Sequence, residues 1–185
     1  MTKRADPVLT AIAQAAVGAT GASHGWVLLL TDDQLEVSAA VGDGAAKLIG
    51  RRVDAGSGTS GYVAASGQPL ALAGSAGDAR LGEGVVAELG QRPASLLCVP
   101  CATDDRIVGV LELIDKDGGE RFSFDDVELV TLLGGIAAPA LASAEEGIDV
   151  TGPDELAVEL SRLAEADPAR YAMVASVVEA LLAAR

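Results

Sequence analysis

Two cysteines, one histidine and one carboxylate set inside an apolar run are the side chains that could do chemistry here. Cys98 and Cys101 form C-V-P-C, the spacing of a redox pair. In an extended strand, positions i and i+3 point to opposite faces, with Cα atoms roughly 10 Å apart. A disulfide needs them within about 7 Å. Only a bulge at Pro100 would unite them, so the spacing predicts two buried structural thiols and no catalytic residue. His24 is the only histidine. One imidazole cannot complete a zinc site with cysteines on a distant strand unless the fold unites them, and just before the first strand it reads as a solvent or turn residue. No metal site is expected. Asp115-Lys116-Asp117-Gly118-Gly119-Glu120 is acidic, but it fails the twelve-residue spacing of a calcium loop and reads as a solvated hairpin end.

Glu112 interrupts Val108-Gly109-Val110-Leu111-Glu112-Leu113-Ile114. A carboxylate in a strand buried on both faces needs a partner. Three readings stay open: a bond to a ligand, a pair with Arg80 or another Arg, or a place at the sheet edge. Arg80 itself is either a ligand group or a loop-anchoring salt bridge. Gly56-Ser57-Gly58-Thr59-Ser60-Gly61 matches the pattern of a dinucleotide fingerprint. That fingerprint should follow a buried strand and open a long helix. Here Arg51–Val53 is short and charged and the next helix is brief, so a turn capped by Thr59 is expected. Free amides at that helix start could still hold an anion.

The elements that must position these residues can be read from periodicity and caps. Asp6 with Pro7 starts a first helix running to Thr20. Trp26–Leu30 and Leu35–Ala40 read as strands around an Asp32-Asp33 turn. Gly42–Gly61 reads as loose and Gly-rich, with a helical piece at Ala45–Ile49. A short helix runs to Ala65, a strand covers Leu70–Ala73, and a helical turn lies at Val85–Leu89. Ser95–Cys101 and Ile107–Ile114 are nearly continuous in apolar residues, as strands covered on both faces are. Ser123 and Asp126 have capping-box spacing, and a helix follows from Phe124 to about Glu146. Pro139 within it predicts a kink near Gly135. Residues 147–153 read as a linker. A tail of two amphipathic segments follows, Asp154–Glu165 and Pro168–Ala184, read as a helical hairpin that docks on something or makes a dimer.

Composition excludes some partners. Acids outnumber bases 27 to 13, for a net charge of −14. Nucleic acid and anionic membrane surfaces both call for basic patches, so neither is an expected partner. No run reads as membrane-spanning. Lys3-Arg4 before Val8–Val17 has a weak signal-peptide shape, but Asp6-Pro7 and Gln14 interrupt it. The expectation is a cytoplasmic protein.

Several stretches resemble the GAF domain family. They are Ser95-Leu96-Leu97-Cys98-Val99-Pro100, Ile107-Val108-Gly109-Val110-Leu111 and Phe122-Ser123-Phe124-Asp125-Asp126. Upstream, Gly56–Ala64, Gly67-Gln68-Pro69-Leu70 and Asp78-Ala79-Arg80 match in the family's order and spacing. The resemblance implies an α+β, GAF/PAS-like domain over residues 1–146, with 147–153 as linker and 154–185 as tail. Its central antiparallel sheet would have five to six strands, helices on one face, and a loop and short-helix cover on the other. It implies a non-enzymatic sensory or regulatory module that binds an unidentified small molecule or a signalling protein and works through its terminal helices. A pocket between the sheet and Ala73–Gln91 is expected, with Ser57, Arg80, Val85, Cys98 and Glu112 as candidate ligand-binding residues. Relatives that reduce free methionine sulfoxide carry catalytic cysteines before the Ser95 strand, and Gly74–Arg92 has none. An enzyme using Cys98 and Cys101 is therefore kept only as the alternative, and a ligand-free dimeric scaffold is a third reading. Heme- and bilin-binding relatives ligate through His or Cys in the covering loops, and neither residue occurs between Gly42 and Leu97. Cyclic-nucleotide-binding relatives carry an Asn-Lys-Phe-Asp/Glu signature. Here only Phe124-Asp125 matches, and the chain has no Asn. No cofactor is expected. The family resemblance, with apolar stripes on the first helix and the Phe124 helix, points to a homodimer.

Overall fold

In a computed structural model the residues described are 5–73, 85–88, 92–145, 153–166, 168, 171–172 and 175. The chain forms two compact units, Met1–Glu146 and Gly147–Arg185. Helix α1 spans Pro7–Thr20. Asp6 caps it as the spacing predicts, its carboxylate accepting from the amides of Val8 (2.8 Å) and Leu9 (3.0 Å). Strands β1 (Ala22–Thr31) and β2 (Gln34–Val41) follow. A 3-10 turn at Ala45–Leu48 lies where a helical piece is expected, while strand β3 (Arg52–Asp54) occupies part of a stretch that reads as loose and Gly-rich. Arg52 on β3 donates to the Glu36 carboxylate on β2 at 2.7 Å, so the charged residues that argue against a strand here hold an edge strand in place.

Helix α2 (Gly58–Ser66) and strand β4 (Leu70–Ala73) come next, then a single turn, α3 (Val85–Glu88). Strands β5 (Ser95–Ala102) and β6 (Ile107–Lys116) form the long hairpin, and helix α4 runs Phe124–Glu145 with Pro139 inside it. The capping box forms: the Asp126 amide is held by Ser123 Oγ at 3.2 Å, and Ser123 N and Oγ donate to Asp126 Oδ2 at 2.6 and 2.9 Å.

The six strands make one antiparallel sheet in the order β3-β2-β1-β6-β5-β4. β6 is therefore central, and its long apolar run follows from having a layer on each side. Leu111 and Leu113 pack with Val27, Leu29, Leu97 and Val99 under α1 and α4. Val110 and Ile114 point the other way, with Trp26, Leu28, Leu96 and Cys98, under the 3-10 turn, α2 and α3. Gly109 of β6 is a contact point: a Cβ there would lie 2.1 Å from the Leu28 carbonyl oxygen on β1. Gly134 plays the same part for α4, where a Cβ would fall 2.8 Å from the Pro100 carbonyl oxygen.

An 18-residue window within Phe124–Ala144 has a mean hydropathy of 1.6, long and apolar enough to cross a membrane by length and composition, which corrects the reading that no run reaches it. One side of α4 is core, with Val130, Ala137, Ala138 and Leu141 buried beneath it. Its other side leaves Phe124, Leu132 and Ile136 between 62% and 73% exposed. In the second unit, α5 (Pro153–Ala166) matches the first tail segment. Most of the second segment lies outside the described residues, so the hairpin is not established.

Candidate functional site

Glu112 is fully buried in the central strand, facing α2. In register beside it stand Trp26 on β1 and Cys98 on β5. Its Oε1 accepts a hydrogen bond from the Trp26 indole Nε1–H at 3.0 Å. Its Oε2 accepts from the hydroxyls of Thr59 (2.8 Å) and Ser60 (2.7 Å), both buried. Cys98 is a fourth neighbour, in register on β5 and on the same face of the sheet. A carboxylate has about four lone-pair sites, and here hydroxyl and indole donors of the chain itself occupy three. None of these neighbours is a cation. One alternative open for Glu112 is corrected, since β6 is not an edge; among the described residues no arginine bonds it, and Arg80 lies outside them.

The local sequence explains how α2 reaches the carboxylate. Gly58 adopts φ +67°, a conformation open to glycine, as the chain enters the helix. Gly61 lies so close to the preceding turn that a Cβ would sit 2.5 Å from the Ala55 carbonyl oxygen. The Gly-x-Gly-x-x-Gly pattern therefore serves a tight turn and a close packing contact. The helix starts after Ser57, which occupies the N-cap without a side-chain cap bond, so the expected Thr59 cap is corrected. Thr59 and Ser60 lie in the first turn, and their side chains turn inward to Glu112. A negative group near a helix N-terminus is favoured by the helix dipole.

Burial pushes the Glu112 carboxyl above its ordinary value of 4.5, while the bonds from Ser60, Thr59, Trp26 and Cys98 pull it back down. Burial likewise pushes the Cys98 thiol well above its ordinary value, and the negative Glu112 adds to this. Cys101 is pushed up to about 12 by burial alone. The two thiols lie on opposite faces, Cys98 in the cover-side core and Cys101 in the helix-side core. A register shift lies between Cys101 and Ala102, beyond the pair, and both cysteines are free. Neither thiol is poised as a nucleophile, since that requires an accessible thiolate.

Of the candidate residues, Cys98 and Glu112 are neighbours, and Val85 is buried in the same cover-side core. Ser57 is half-buried at the start of the helix that reaches Glu112. Arg80, with the Asp78-Ala79-Arg80 loop, lies outside the described residues, as does most of Ala73–Gln91. Sequence reasoning missed Trp26, Thr59 and Ser60 as a set. The one available signal was the conflict between Glu112 and its strand, which demanded donors without naming them.

His24 lies within β1 rather than before it. Its Nδ1 is 2.8 Å from Ser23 Oγ and its Nε2 is 3.2 Å from the Asp43 carbonyl oxygen, which secures the nearby turn. Among the described residues no cluster of three or more His, Cys, Asp or Glu side chains is placed to hold a metal. On the opposite side of the sheet an open apolar groove of about 450 Å³ runs between α1 and α4, lined by Val8, Ala11, Ile12, Leu133 and Ile136 among others.

Comparison with known proteins agrees with this fold. A family model described as GAF domain matches residues 3–142. No curated protein matches the chain. Among solved structures, the second GAF domain of DevS from Mycobacterium smegmatis is 20% identical, with a TM-score of 0.60 over 77% of this chain and 96% of that one. The GAF domain of a phosphoenolpyruvate-protein phosphotransferase from Coxiella burnetii is 19% identical, with a TM-score of 0.65 over 76% and 84%. A type II free methionine-R-sulfoxide reductase from Thermoplasma acidophilum is 14% identical, with a TM-score of 0.56 over 71% and 88%. At these identities the likeness is one of fold.

Proposed function

Because the chain belongs to the GAF domain family, we propose that it is a non-enzymatic sensory or regulatory module, one that receives a small molecule or a partner protein and signals through α1 and α4. The observation that carries this reading is the two-sidedness of β6. Its Glu112 side forms a polar cluster under α2, while Leu111 and Leu113 beside it form the floor beneath α1 and α4. A change on the cover side thus acts on a strand that the terminal helices rest on. The exposed apolar residues on those helices, Val8 at 56% and Ile136 at 62%, supply a surface through which a second copy of the chain would read the change. The reductase reading is disfavoured by the state of the thiols, both buried and raised. Cytoplasmic placement goes with this reading, since it leaves both thiols free.

Native mass spectrometry of the purified full chain tests the proposal. A retained or titratable small molecule, or a stable complex with a protein partner, supports it. Turnover of free methionine sulfoxide that depends on Cys98 or Cys101 overturns it in favour of the enzyme.

A further inference from the structure

The cover-side cluster and the start of α4 are held by the same strand. Glu112 grips α2 through Thr59 and Ser60. Four residues on, Lys116 at the end of β6 pairs with Asp126 in the first turn of α4. Asp126 is also the acidic half of the capping box, so the Lys116 contact falls on the group that fixes the α4 N-terminus. Burial would raise the Asp126 carboxyl, but the bonds from Lys116 and Ser123 outweigh it and hold the group below its usual value. The Lys116–Asp126 pair is largely shielded from water, with the side chains 18% and 11% exposed.

Between the two grips the strand carries a strained residue. Asp115 has φ +53°, one of two non-glycine residues among those described in the left-handed region. Such a conformation persists where surrounding bonds over-determine it. Here Asp115 Oδ1 accepts from the Ala94 amide at 2.6 Å, and the Lys116 amide donates to Ser95 Oγ at 3.0 Å. Alternation along β6 puts Glu112, Ile114 and Lys116 on one side. Yet Lys116 reaches a helix of the opposite layer, and the turn at Asp115 immediately precedes it.

We propose that β6 couples the two layers of the domain: the hold of Glu112 on α2 and the hold of Lys116 on the α4 N-terminus are linked through Asp115, so that loosening α2 loosens the first turn of α4. This rests on the regulatory reading above and names the route by which that site is heard. The strand is a suitable carrier because it is central and hydrogen-bonded on both sides, and a packed core shifts between discrete arrangements rather than deforming gradually. The separation of the grips, about 13 Å along the strand, is beyond direct contact, so any linkage must pass through the backbone between them.

Hydrogen exchange on the full chain without ligand tests the route. T59V/S60A removes the grip on α2 and K116M removes the grip on α4. Leu48→Ala, in the cover-side core but in neither grip, controls for general destabilisation. The expected result is that T59V/S60A speeds exchange of the α2 amides and also of Val127–Thr131 in α4, the latter by about tenfold more than Leu48→Ala does. In the K116M background, adding T59V/S60A should leave Val127–Thr131 nearly unchanged. Acceleration of α2 with Val127–Thr131 exchanging no faster than in Leu48→Ala overturns the proposal, as does an equal effect of T59V/S60A with and without K116M. Such a failure leaves the sensory reading standing if native mass spectrometry finds a ligand. Coupling without any ligand or partner removes that reading and leaves the route.

Discussion

Replacing both Thr59 and Ser60 by residues of similar size without hydroxyls (T59V/S60A) leaves Glu112 in place and strips Oε2 of its donors. With Glu112 ionised, each lost bond is charge-assisted and is worth about 1.5–3 kcal/mol. The expected loss with Glu112 ionised is about 3–5 kcal/mol, the range found when one side of a buried charged contact is removed. With Glu112 protonated, the same bonds are neutral and the loss falls to about 1–3 kcal/mol. The sign of the pH effect follows from the shift. Glu112 is raised in the folded protein above its ordinary 4.5. Folding therefore favours the protonated group, and that stability is present in full below 4.5 and is lost as pH rises through the folded value. Removing two of the bonds that lower the folded value lifts it further; the unfolded value is common to both proteins and cancels, so the penalty in T59V/S60A grows only as pH rises through the parent's raised folded value. Cys98, the titratable neighbour of Glu112, is raised well above its ordinary value and stays protonated through this range. The assay is urea unfolding across a pH series from below 4.5 upward for the parent, T59V/S60A, E112Q and the triple variant. E112Q should be mild, because its amide can donate to the two hydroxyls while its oxygen still accepts from Trp26. In the E112Q background the penalty should be about 1–3 kcal/mol and flat with pH. A penalty that shrinks as pH rises, or one unchanged by E112Q, refutes the reasoning.

Gly109→Ala should cost about 3 kcal/mol or more in urea unfolding, because its Cβ meets the Leu28 carbonyl of the neighbouring strand and neither backbone can retreat. Both thiols should resist a disulfide-exchange reagent at pH 8 in the native protein and react in urea. Rapid labelling of the native protein, or formation of a Cys98–Cys101 disulfide, would contradict their burial on opposite faces. Light scattering should find the full chain dimeric at micromolar concentration. Ile136→Asp should shift it to monomer while changing stability by no more than about 0.5 kcal/mol, and a dimer that survives it places the interface elsewhere.

Local features were legible in the sequence. Asp6 followed by Pro7, and Ser123 followed by Asp126, set helix starts because a cap bonds to amides two or three residues away, and the structure has both. The unbroken apolar runs at Ser95 and Ile107 were enough to require a layer on each side of the sheet, because water on either face would have selected alternation. The order of motifs gave the family. Strand β3 was not legible, since its residues are charged and its pairing with β2 is an edge contact that local composition does not reveal. Glu112 announced that it needed partners and nothing more. Trp26 lies 86 residues before it, Thr59 53 and Ser60 52, and no periodicity links positions so far apart. Sheet order decided that β6 sits between β1 and β5, and this placed an indole, a thiol and the first turn of α2 around one carboxylate. A buried charge fixes how many donors are required, but only the folding of distant segments onto one strand decides which residues supply them.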